Sequence, residues 1–246
     1  YESEQFTKNL LVGSLTTEVT GILVTLDSLE ETVDEAIAKN CNLIVSFHPI
    51  IFDGLKKLNG NSYVDRVVIK AIQNNIAIYA IHTALDNKKN GVSGKICEVL
   101  GLQNTEILIP KSNLVTHETI GMGMIGELDS EMNESEFLQF VKKTMKTECI
   151  RHSELLGKPI KKVAVLGGSG SFAIENAIAL NADAYISADF KYHDFFKAEG
   201  QILLADIGHY ESEQFTKNLL VEYLTKKFTN FAIILSEKST NPIYYI

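Results

Sequence analysis

Apolar positions along this chain fall into short continuous runs, set apart by stretches with helical spacing. Gly21-Ile22-Leu23-Val24-Thr25-Leu26, Leu43-Ile44-Val45-Ser46 and Ile76-Ala77-Ile78-Tyr79-Ala80-Ile81 are such runs. Continuous rather than alternating apolar character predicts strands covered on both faces. Between them the spacing changes. Ser28 with Glu31 three residues on predicts a capping box, and Val33, Ala36 and Ile37 supply the inner face of the helix it opens. A second helix is expected over residues 65–74. Repeated βα units of this kind imply a largely parallel sheet with helical cover.

The rhythm lapses across residues 107–118, where Pro110, Lys111, Ser112 and Asn113 suggest a joint. A second α/β passage begins at Met122-Gly123-Met124-Ile125-Gly126-Glu127-Leu128. A helix near residues 134–147, strands at 163–166, 184–187 and 202–205, a helix after Glu211 and a strand at 231–235 complete it. The expected fold is α/β: two similar α/β lobes with mostly parallel sheets covered by helices, over residues 1–115 and 116–246. The run Gly167-Gly168-Ser169-Gly170-Ser171 lacks the Lys-Ser/Thr of a phosphate loop and does not fit G-x-G-x-x-G. It is expected to make a tight strand-to-helix turn whose amides could meet an anion.

Residues 1–12 and 210–221 are the same segment, YESEQFTKNLLV. Chance does not produce that identity, an ancient duplication would have diverged, and a solenoid would repeat at a regular short period. A duplication foreign to the natural gene is the expectation. The first copy lacks the Gly-His that precedes the second.

Composition narrows the function classes. The chain has 246 residues, 45% of them hydrophobic and 22% charged, as ordinary globular proteins do. Its net charge of -8 argues against duplex nucleic acid as a partner, which would require a basic face. Cys41, Cys97 and Cys149 are odd in number and far apart, so neither a disulfide framework nor a zinc knuckle follows. With no membrane-span run and no secretory leader pattern at its start, the expected location is the cytoplasm.

The chemistry gathers where apolar strands give out. His48 follows Leu43–Ser46, His82 follows Ile76–Ile81, Asp189 follows the 184–187 strand, and His209 follows the 202–205 strand. In open α/β sheets the carboxyl ends of strands share one edge, so ligands scattered in sequence can meet there. His209 and Glu213, four apart, can share a helical face, and His82 and Asp86 repeat the spacing. Imidazole with carboxylate is a borderline donor set, suited to Zn, Fe, Mn, Co or Ni. Pro49 stops the strand after His48 and stiffens its backbone. Taken singly, each has a plainer explanation: a helix-start carboxylate, a turn aspartate, a core histidine.

In matching order, Leu10-Leu11-Val12-Gly13, Val24-Thr25-Leu26-Asp27, Phe47-His48-Pro49-Ile50-Ile51-Phe52 and His82-Thr83-Ala84-Leu85-Asp86 are followed by Gly123-Met124-Ile125-Gly126-Glu127. Gly167-Gly168-Ser169-Gly170, Ser187-Ala188-Asp189 with His193, and Gly208-His209-Tyr210-Glu211-Ser212-Glu213 complete the series. On these motifs the chain resembles the dinuclear-metal-centre hexameric family, also known as GTP cyclohydrolase 1 type 2 homologs or Nif-three-like proteins. The resemblance implies a metal cleft between two lobes, a homo-hexamer, and two divalent metal ions held by His48, Asp86, His209 and Glu213, with Asp86 bridging. His82, Asp189 and His193 would stand close by as catalytic proton carriers. Many members carry His-His where this chain has Phe47-His48; phenylalanine cannot ligate, which implies a weaker second metal site. The motif aromatic-Asp-Asn-x-Gly is replaced here by the repeated segment, and the run Lys111–Glu118 has no room for the extra domain some members insert.

The implied activity is metal-dependent hydrolysis of a nucleotide-like substrate, with GTP and the opening of its imidazole ring as the suggested case. The alternative is a non-catalytic metal-binding oligomer that serves as a scaffold or regulatory interaction protein.

Overall fold

The computed structural model describes residues 9–112 and 119–246, the side chains of Ser112 and Thr119 excepted. The first copy of the repeated segment therefore lies outside the described residues up to position 8, as does part of the joint expected over 107–118. The chain divides into two compact units: one takes in the chain to Thr83 together with Thr216–Pro242, the other Ala84–Phe215 with Ile243–Ile246.

The first unit is built on a five-stranded sheet in the order β1-β4-β3-β2-β11. Its strands are β1 (Leu10–Val12), β2 (Gly21–Thr25), β3 (Leu43–Ser46), β4 (Ala77–Ala80) and β11 (Ala232–Leu235). The pairs β4-β3, β3-β2 and β2-β11 are parallel, and β1 is an antiparallel edge. Every residue of β2 is buried, as a strand covered on both faces requires. Helices α1 (Glu30–Ala38) and α2 (Tyr63–Gln73) set Val33, Ala36, Val67, Val68 and Ala71 against Leu23, Ile44 and Ile78. Helix α1 departs from its expected start. Its N-cap is Leu29, whose amide donates to Thr32 Oγ1 at 2.7 Å, while Ser28 Oγ is buried without a hydrogen bond. Ile37, expected on the inner face, is 39% exposed. Val33 and Ala36 keep the inner face, and Ile37, about 100° round the helix from Ala36, falls at its margin.

The second unit holds a six-stranded sheet in the order β5-β6-β8-β9-β10-β7. Here the pairing is mixed. β5 (Gln103–Ser112), β6 (Thr119–Met132) and β8 (Ile160–Ser169) run antiparallel to their neighbours in turn. β8, β9 (Ala184–Ala188) and β10 (Leu203–Asp206) are parallel, and β7 (Arg151–His152) is an antiparallel edge on β10. Alternate residues of β8 serve separate cores. Val163 and Val165 join α4 (Val92–Leu100) and α5 (Glu134–Thr144) through Ile96, Leu100, Phe137 and Val141. Ala164 and Leu166 join α6 (Ile174–Ala179) through Ile174 and Ala177. The glycine run does not turn where expected. β8 continues through Gly167 and Gly168 to Ser169, and the chain bends only at Gly170 before a short 3-10 helix. Helix α7 (His209–Glu213) packs on β8 and β9, and α8 (Thr216–Lys227) on β11 and β2. The turn Thr83–Asp86 is α3.

No helix among the described residues is long and apolar enough to cross a membrane. Cys41 and Cys97 are buried, and burial pushes the Cys97 thiol up to about 12, so these residues serve as core rather than as thiolates.

Candidate metal centre

In the first unit, backbone pairing past the strand ends brings three side chains together. His48 N–H donates to Leu26 O at 2.9 Å, which sets His48 beside Asp27 just beyond β2. His82 N–H donates to Phe47 O at 2.8 Å. His48 Nδ1–H then donates to Asp27 Oδ1 at 2.8 Å, and Thr240 Oγ1 donates to Asp27 Oδ2 at 2.5 Å. A carboxylate on Nδ1 fixes the tautomer and leaves Nε2 as the ligating nitrogen. The His82 ring stands edge-on to His48 at 5.8 Å and to Phe52 at 5.8 Å. Phe47 is buried at 1% exposure and packs against both His48 and His82.

The second unit repeats the device. His209 opens α7, one turn ahead of Glu213, and its Nδ1–H donates to Asp189 Oδ2 at 2.7 Å. Its Nε2 lies 3.2 Å from Glu213 Oε2, on a side chain only 5% exposed. The proton on His209 is therefore held strongly. Its hydrogen bond to Glu213 outweighs the opposing effect of burial, Asp189 adds to it, and the pKa rises to about 9. Ser212 locks the helix to the sheet: Gly168 N–H donates to Ser212 Oγ at 2.8 Å, and that hydroxyl donates to His209 O at 2.8 Å. Gly168 has φ +72, and a Cβ there would overlap Glu213 Oε1, so the bare backbone makes the cradle for this carboxylate. The donor chemistry suits a divalent cation. An imidazole already committed through Nδ1 faces a buried carboxylate, and a cation could take the place of the bound proton.

Of the other residues expected from sequence, Asp86 ends α3 and is partly buried. His193 lies exposed on the 3-10 helix Tyr192–Ala198, where its ring packs against Tyr192 and Phe196. Two site residues carry left-handed backbone, His82 at φ 42 and Asp189 at φ 58. Such conformations cost about 1–3 kcal/mol each in non-glycine residues and cluster at functional sites. Sequence reasoning assigned no role to Asp27, Thr240 or Ser212. Asp27 was within reach of the rule that found the histidines, since it too follows an apolar strand.

Comparison with known proteins agrees with this architecture. A Clostridium acetobutylicum protein named GTP cyclohydrolase 1 type 2 homolog is 33% identical over 240 residues, covering 95% of this chain and 88% of its own length. A Streptococcus pneumoniae protein of the same name is 33% identical, covering 100% of this chain and 94% of its own. Among solved structures, a Staphylococcus aureus protein superposes with a TM-score of 0.90 at 30% identity, covering 97% of this chain and 91% of that one. A Bacillus cereus protein related to NIF3 reaches 0.91 at 26% identity, covering 97% and 92%. Residues 4–242 match the family Duf34/NIF3 (NGG1p interacting factor 3), and the chain belongs to that family.

Proposed function

We propose that this chain binds two divalent metal ions through His48, Asp86, His209 and Glu213 and hydrolyses a nucleotide-like substrate. The observation that carries the reading is the matched pair of oriented imidazoles, His48 on Asp27 and His209 on Asp189, with the buried Glu213 carboxylate one helical turn from His209. His48, His209 and Glu213 offer the imidazole and carboxylate donors that such ions take. The donors favour Zn, Fe, Mn, Co or Ni, and Asp86 would bridge. Phe47 supplies no donor, which makes the second ion the weaker one.

When bound, the ions supply Lewis acidity, activating water and polarising the bond to be cut. The chain's own residues do the rest. Asp27 and Asp189 orient the imidazoles, and Asp189, His82 and His193 are the candidate proton carriers. The relatives' name, GTP cyclohydrolase 1 type 2 homolog, points to GTP or a similar purine nucleotide. We place the protein in the cytoplasm as a homo-oligomer, a hexamer by family resemblance, with no duplex nucleic acid or membrane as partner.

A second reading, a non-catalytic metal-binding scaffold, is favoured by Phe47 and by the family's description as an interacting factor. Elemental analysis of wild type beside Asp86→Ala and His209→Ala tests the metal site; full metal content in both variants would remove it. Turnover of a nucleotide panel by metal-loaded protein separates the readings. Metal retained with no turnover of any member selects the scaffold.

A further inference from the structure

We propose that Asp206 is a positioning residue for the His209–Asp189 pair, held in place by Arg151. The inference rests on the metal reading above and concerns the two turns that carry the pair. Asp189 follows β9 and His209 follows β10, and the parallel ladder between these strands gives out just before them: Ile207 N–H donates to Ser187 O at 3.0 Å. Past that point a single buried side chain ties the turns. Asp206, 4% exposed, accepts Phe190 N–H through Oδ2 at 2.9 Å and Gly208 N–H through Oδ1 at 3.1 Å.

One carboxylate thus fixes the residue after Asp189 and the residue before His209. The first turn needs an external tie, because Asp189 holds φ 58, a left-handed conformation that costs a side-chain-bearing residue, whereas Gly208 reaches φ 93 freely. Arg151 on the edge strand β7 pairs with the same Oδ2, donates to Phe190 O at 2.9 Å and lies over the Phe195 ring at 5.7 Å. Its guanidinium compensates a buried charge that would otherwise be costly. Residues that hold a ligand's orientation from behind commonly change metal affinity by about 10–100-fold.

The test uses the full-length chain, freed of metal and titrated with Co2+ alone, reading both affinity and the d–d absorption spectrum. Asp206→Asn keeps the side chain's shape and turns one acceptor oxygen into a donor nitrogen, so one of the two amides loses its partner. Co2+ is expected to bind about tenfold more weakly than in wild type, with an altered spectrum. Asp183→Ala is the structural control. Asp183 also accepts two backbone amides, those of Lys161 and Lys162, but it precedes β9 rather than following it. That variant is expected to lose stability while keeping wild-type affinity and spectrum. Should Asp206→Asn fail to fold, Arg151→Met carries the same expectation, with rescue in Arg151→Lys.

Wild-type Co2+ binding by a folded Asp206→Asn, or equal weakening by Asp183→Ala, would overturn the positioning role alone. A wild type that takes up no Co2+, or a His209→Ala variant that takes up as much as wild type, would overturn the metal reading and this role with it.

Discussion

A methyl group on Gly168 separates backbone strain from damage to the site. Gly168 has φ +72, where an L side chain costs about 1–2 kcal/mol, partly offset by the loss of freedom that alanine brings to the unfolded chain. Gly101, the left-handed cap of α4 at φ +68, has nothing within 4 Å of the added carbon, so Gly101→Ala measures that strain alone. At Gly168 the new carbon would overlap Glu213 Oε1, and it would lie 3.4 Å from Glu213 Cδ and 3.5 Å from His209 Cε1. The carboxylate is the far end of a flexible side chain, so it moves before the backbone does. It then leaves its position 3.2 Å from His209 Nε2. Gly101→Ala is expected to lower unfolding free energy by about 1 kcal/mol and leave Co2+ affinity unchanged. Gly168→Ala is expected to lose at least as much stability and, in addition, on the order of 100-fold in Co2+ affinity. Urea unfolding and Co2+ titration of both variants give the comparison. Matching Co2+ affinities in the two would refute the idea that this glycine exists to seat Glu213.

Three further outcomes follow from the same geometry. Asp27→Asn should loosen His48 and weaken Co2+ binding about 10–100-fold without unfolding the chain, and unchanged binding would rule out Asp27 as its orienting group. His209 has its pKa raised to about 9 from 6.5, so in the metal-free protein its stabilisation is full below about pH 6.5 and is lost as pH rises through about 9. Urea midpoints between pH 6 and 10 should show that decline in wild type and lack it in His209→Gln; equal slopes would contradict the assignment. Phe137, wholly buried between α5 and the second sheet, should cost about 3–5 kcal/mol when changed to Ala, while the His209 site of the folded fraction still takes up Co2+.

The first unit's central strands were legible because continuous apolar runs survive in the sequence wherever a parallel sheet is covered on both faces, as at Gly21–Thr25 and Leu43–Ser46. The stretch around Pro110 was not legible. Its proline and polar residues suggest a joint, yet Gln103–Ser112 is a strand in which Pro110 pairs with Gly121. That strand is at the sheet's edge, where a missing N–H removes no needed ladder bond. The return of Ala232–Leu235 to lie parallel to β2 is a long-range pairing that no local pattern encodes.

For the site, the rule that chemistry collects at strand ends found His48, His82, Asp189 and His209, and applied evenly it would also have found Asp27 and Asp206. It found residue types and positions but not directions. His193 and His209 carry the same imidazole, and only the fold distinguishes them. One ring packs on Tyr192 and Phe196 on an exposed turn, whereas the other is gripped at Nδ1 by Asp189 and faces a buried carboxylate. Ligation needs a nitrogen whose direction is fixed by a second partner. The discriminating feature is therefore the carboxylate behind each histidine, and that pairing forms only when strand ends distant in sequence become neighbours.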